Sequence, residues 1–110
     1  MMLVRFFVAL IIAPIAFSQS VSATEWRYCL AASEEEHKVY LSGTFVTNAD
    51  AWSTDSAFEK VLMHDGLRYD AIQCPRADDE NAIMTMLQGA VAYNKKIGRK
   101  IIYKRWEPAH

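Results

Sequence analysis

Cysteines, histidines, serines and one run of acids are the side chains in this 110-residue chain whose chemistry could define a site. Cys29 and Cys74 lie far apart, with no Cys-x-x-Cys pair and no neighbouring Cys–His cluster. That spacing argues against a redox thiol pair and against a zinc site, both of which need clustered ligands or a vicinal thiol. His37, His64 and His110 show none of the His-x-x-x-His spacing that puts two imidazoles on one helix face. His64 stands beside Asp65, the pairing a general base and its orienting carboxylate require. Adjacent residues on a helix point about 100° apart, however, which suits that partnership poorly. The serines lack a Gly-x-Ser-x-Gly elbow, and Ser53 and Ser56 are explained by helix capping. Asp78-Asp79-Glu80 supplies three carboxylates but lacks the alternating ligands and turn glycine of a calcium loop. Acids in that position suit the positive end of a helix dipole. The expectation is a protein that is not an enzyme, with no cofactor and no metal.

The chain's address is more legible than its chemistry. Residues 1 to 23 hold one charge, Arg5, then an apolar run from Phe6 to Phe17, then small and polar residues ending Val21-Ser22-Ala23. That order is a secretory signal peptide, and the run is shorter than the roughly 20 residues that span a bilayer. No cysteine follows the small residues, which argues against a lipid-anchored form. The expected domains are therefore a signal peptide over 1–23 and a single small domain over 24–110, periplasmic or secreted, with no stable membrane span after cleavage. In an oxidising compartment two cysteines have one pairing, so Cys29–Cys74 is the expected disulfide.

Two alternating segments then read as a β-hairpin. Glu25 to Ala32 puts Trp26, Tyr28 and Leu30 on one side and Arg27 and Cys29 on the other. His37 to Val46 puts Val39, Leu41 and Phe45 on one face, with Ser33 to Glu36 as the charged loop between them. Thr47 to Ser53 reads as a loop carrying Trp52, and a short helix follows, capped by Ser53 or Thr54 and ended by Gly66. Arg68 to Cys74 reads as a third strand. Asp78 or Asp79 opens a second helix whose apolar face is Ile83, Met86, Leu87, Ala90, Asn94 and Ile97. Gly98 ends it, and Lys100 to Trp106 is a fourth strand. The order ββαβαβ predicts an α+β two-layer sandwich: a four-stranded mixed sheet, both helices on one face, and one disulfide.

Charge sorts along the chain. Residues 24 to 80 carry 12 acids and 5 bases, whereas residues 81 to 110 carry 6 bases and 1 acid. Lys95, Lys96, Arg99, Lys100, Lys104 and Arg105 form a basic stretch that suits an anionic partner, or equally the negative end of a helix and a solvated strand. Without its leader the chain is mildly acidic, which with export disfavours nucleic acid. Helices on one face leave the other face of the sheet open, and the alternation places Arg27, Tyr40, Tyr103 and Arg105 on it. With Trp52 in its polar loop these form the candidate binding surface, since aromatic and arginine side chains favour contact with partners. The functional expectation is a small exported, non-catalytic binding protein of the bacterial envelope or extracellular space, contacting a protein or an anionic envelope component. The alternatives are a secreted inhibitor or effector of a host or competitor enzyme, and a small hydrolase or redox enzyme. Cleavage after Ala23 predicts a mature chain that begins at Thr24. Mass spectrometry of the recovered protein reads this directly, and a full-length mass would contradict it.

Overall fold

The computed structural model describes residues 24–108; the expected leader over 1–23 lies outside the described residues. The elements are Glu25–Arg27 (β1), Leu30–Ser33 (β2), Lys38–Leu41 (β3), Phe45–Thr47 (β4), Ala51–His64 (α1), Ala71–Gln73 (β5), Arg76–Ala77 (β6), Glu80–Lys96 (α2) and Lys100–Tyr103 (β7). They form a three-stranded antiparallel sheet, β4-β1-β6, and a four-stranded mixed sheet, β5-β2-β3-β7. β1 runs into β2, β3 into β4 and β5 into β6, so each of these three stretches of chain passes from one sheet to the other at the same level. The α+β class, the mixed four-stranded sheet and the disulfide agree with the expectation.

The break between the sheets has a local cause. Between the pairs Arg27↔Phe45 and Leu30↔Leu41, the first stretch holds Tyr28 and Cys29, whereas the second holds Ser42, Gly43 and Thr44. Three residues against two is a β-bulge, and it shifts side-chain alternation by one residue. Phe45 therefore joins Tyr40 in one cluster, while Val39 and Leu41 belong to the other. The expectation that Val39, Leu41 and Phe45 share a face is corrected by this single inserted residue. Ser42 partly repairs the ladder: its hydroxyl accepts from the Cys29 N–H at 2.8 Å, and its own N–H donates to the Cys29 carbonyl at 2.9 Å.

The disulfide joins Cys29 to Cys74 at this break, with Cα atoms 4.0 Å apart and both residues buried. Here β1–β2 and β5–β6 run side by side, so the bridge ties neighbouring strands across 45 residues of sequence.

The helices do not share a face. Phe58 and Leu62 of α1 pack with Ala31, Tyr40, Ile72 and Ile102. Ile83, Leu87, Ala90 and Val91 of α2 pack with Leu30, Val39, Leu41 and Ile101. These strand residues alternate, so α1 and α2 cover opposite faces, and the sheet is the middle of three layers. Crossover handedness explains the correction. β3 and β5 both run antiparallel to β2, and β7 runs parallel to β3. Hence both helical connections join parallel strands, but one moves across the sheet from β3 to β5 and the other returns from β5 to β7. Right-handed crossovers made in opposite directions put their helices on opposite sides.

Local chemistry fixes the helix ends. The Asp50 carboxylate accepts from the Ser53 N–H at 2.7 Å and caps α1, so α1 starts earlier than the sequence suggests and Trp52 becomes helical. Asp79 does the same for α2 through the Ala82 N–H at 2.8 Å. Gly66 and Gly98 follow the helices at φ +69° and +88°, where a side chain would strain the backbone. In the chain-entropy view a closed loop of this length contributes roughly 4 kcal/mol. Replacing Cys29 and Cys74 together by alanine is expected to remove most of that, measured as a fall in the urea unfolding midpoint.

Candidate binding groove at the edge of the sheet

Four strands spaced about 4.8 Å apart make a sheet wider than one helix of about 10 Å covers. β7 is an edge strand of that sheet, and α2 packs along it more than along any other strand. On the α2 side this edge borders a groove of about 430 Å³ lined by Met84, Leu87, Gln88, Val91, Lys95 and Tyr103, among others. Leu87 and Val91 also pack against the core, and Met84, Gln88, Val91 and Lys95 form the next stripe around the helix at three- and four-residue spacing. Tyr103 reaches the groove because it pairs with Leu41 in register and so points to the α2 face. A second cleft of about 500 Å³ continues past the end of β7, between Gly43 and Thr44 of the bulge and the segment from Tyr103 to Glu107.

The end of α2 beside the groove is anchored by buried Asn94. Its amide donates to the Ala90 carbonyl at 2.7 Å, and its oxygen accepts from the Arg99 guanidinium at 2.7 Å. Arg99 also pairs with Glu34 of the hairpin turn, and the Lys100 N–H donates to the His37 carbonyl at 2.8 Å. Lys104 is held by Asp65 at 2.7 Å. Thus two of the basic residues neutralise acids from the acidic stretch of residues 24 to 80. Lys95, Lys96, Lys100 and Arg105 make no ion pair among the described residues; Lys95 lines the groove and Arg105 the neighbouring cleft, which gives this edge a basic rim.

The surface expected from sequence is only partly assembled. Tyr103 is 63% exposed and lies with Arg105 at the open edge. Trp52 is 76% exposed, but on the first turn of α1. Arg27 and Tyr40 are not on the surface at all: both point to the α1 face and are buried beneath that helix. The error follows from the uncovered face assumed for the sheet. Trp26 and Trp106 are partly buried against the core, and Trp106 packs on Phe45 and Phe58 with ring centroids 5.7 and 5.2 Å away. Met84 and Gln88 had a sequence signal, since they flank the buried stripe of α2, but nothing local marked β7 as an edge.

Arg27 serves the sheet break. Its guanidinium donates to the Cys74 carbonyl at 2.6 Å and to Glu25 at 2.8 Å. Asp55 of α1 stands near it; burial pushes the Asp55 carboxyl up, against the opposing pull of the Cys74 N–H and the Arg27 charge. Side chains thus satisfy backbone groups that the interrupted ladder leaves without strand partners.

His64 and Asp65 do meet, with Nδ1 and Oδ1 3.3 Å apart. Asp65 is the C-cap and has left helical geometry, so the 100° separation does not apply to it. Lys104 first and then His64 hold the Asp65 carboxyl below the usual carboxylate range. The His64 side chain is solvent-exposed, and through Lys104 the Asp65 carboxylate ties β7's end to α1. Among the described residues no cluster of His, Cys, Asp and Glu could hold a metal ion. Asp78 pairs with Arg76, and Asp79 is spent on the cap.

Comparison with protein-family models, curated proteins and solved structures finds no match to this chain.

Tyr69 donates a short hydrogen bond to Glu59, and that bond, before burial, pushes the phenol up to about 12 from an ordinary 10.0. Because the folded state holds this proton more tightly, the associated stability is complete below pH 10 and is lost as pH rises through about 12. Burial pushes Tyr28 up as well, so ultraviolet titration should show two of the five tyrosines ionising late, with Glu59→Gln returning only Tyr69 toward the ordinary value.

Proposed function

We propose that this chain is a small exported binding protein, without catalysis, that holds a protein of the envelope or extracellular space in the groove between α2 and β7. One observation carries the reading: an apolar groove at an unpaired strand, with Lys95 in its lining and Arg105 in the adjoining cleft, neither of them ion-paired within the described residues. Apolar side chains gathered in a concave edge, with few polar groups among them, favour contact with a partner. The basic rim agrees with an anionic partner and supplies attraction at a distance. The disulfide is compatible with an extracytoplasmic location, and periplasmic or secreted residence is part of this proposal. Among the described residues no helix is long and apolar enough to cross a membrane.

A redox role finds little support, because both cysteines are buried and a thiol reagent has no direct approach to the bridge. The inhibitor or effector reading uses the same groove and differs only in whose protein occupies it.

Placing a photo-reactive phenylalanine analogue at Tyr103, and separately at exposed Met63 on α1 as control, tests the surface. Irradiation of intact cells should give a covalent adduct at position 103 and none at position 63. Adducts at neither position, or at 63 alone, would place the contact elsewhere.

A further inference from the structure

The groove reading leaves open how a partner is held, and the hydrogen-bonding pattern of β7 answers this. The Lys100 N–H donates to His37 at 2.8 Å and the Lys104 N–H donates to Leu41 at 2.7 Å, both toward β3. Backbone groups alternate along a strand, so the N–H and C=O of Ile101 and Tyr103 point the other way, to the open edge. No strand among the described residues pairs with that side. On the α2 side the edge is bordered by the groove of Met84, Leu87, Val91 and Tyr103, and beyond its end lies the cleft at Gly43 and Thr44.

We infer that β7 accepts an extended acidic peptide segment as an additional strand of the sheet, an inference that rests on the groove being the binding site. Ile101 and Tyr103 supply two donors and two acceptors to the incoming backbone, which is how strand addition gains affinity without regard to sequence. Alternate side chains of the added strand fall over the groove, where an apolar residue packs against Met84, Val91 and the Tyr103 ring. The intervening residues and flanks meet Lys95, Lys100 and Arg105, none of them ion-paired in the fold. Carboxylates there are attracted, and cationic segments are repelled.

Charge also decides against a second copy of this chain. Two β7 strands meeting antiparallel about Ile102 would set Lys100 opposite Lys104 of the other copy, twice, with Arg105 close by. Like charges directly opposed across strands destabilise pairing, and edge lysines are a recognised guard against self-association. Lys100 and Arg105 thus both disfavour an identical strand and favour an acidic one.

The test uses the mature protein and a short peptide alternating glutamate and valine, with a lysine–valine peptide as its counterpart. The glutamate peptide should bind, more weakly as salt rises, and should slow amide exchange at Ile101 and Tyr103. Tyr103→Ala keeps the edge N–H and loses only the ring. Tyr103→Pro removes that N–H as well without touching the β3 ladder, and should bind about tenfold more weakly than Tyr103→Ala, the effect of roughly one lost hydrogen bond. N-methylation of alternate peptide amides needs no change to the protein and should abolish binding in the same way. The inference is overturned if the glutamate peptide does not bind, if the lysine peptide binds equally, or if N-methylation is without effect. If these fail while position 103 still forms adducts in cells, strand addition falls and the groove reading stands; if both fail, the groove reading falls with it.

Discussion

The strand running from Glu25 to Ser33 is paired on both sides, and the rest of the domain depends on how it crosses the break at Tyr28 and Cys29. An inserted residue at Ser42–Thr44 interrupts its ladder on one side, and Cys74-Pro75 interrupts it on the other. A break at the centre of a small sheet would expose backbone groups in a region without water. Here three of them are met by side chains: Ser42 takes the Cys29 N–H, Arg27 reaches the Cys74 carbonyl, and Asp55 lies at the Cys74 N–H. The disulfide closes the same gap covalently. Arg27 is buried and Asp55 half-buried, and the place of both is set by this repair, which is why neither serves a surface site.

From that centre, two chain crossings decide the outside of the molecule. One helical connection travels outward to β5 and the other returns past the whole sheet to β7. A common handedness then places one helix on each face. Each face receives a single helix, enough to bury Tyr40 and Phe58 on one side and Val39, Leu41 and Ile83 on the other. The last strand is left at the margin with one side unpaired. The groove lies where α2 runs beside that unpaired edge, between the outer stripe of the helix and Tyr103.

The division of charge along the chain has two outcomes. Arg99 finds Glu34, and Lys104 finds Asp65, so part of the separation is spent in joining the last segment to the hairpin turn and to the end of α1. The remainder stays on the surface around β7. The balance between a structural and a binding role for the basic stretch is therefore drawn residue by residue.

Much of the fold could be read from local pattern. Alternation located every strand but Arg76–Ala77, Asp79 and the two glycines bounded the helices, and the lone pair of cysteines implied its own bridge, because each depends on near neighbours or on counting. Sequence placed Trp26, Tyr28 and Leu30 opposite Arg27 and Cys29 for the same reason. It misplaced Phe45, since one extra residue in a bulge shifts the period without any change in composition. Arg27 and Tyr40 were assigned to an open face that does not exist. Whether a face is covered depends on the direction in which the chain crosses the sheet, and that is a relation among strands distant in sequence. Residue types alone determined the elements and the bridge. Only the tertiary arrangement decided which strand is an edge, because an edge is defined by the neighbour it lacks.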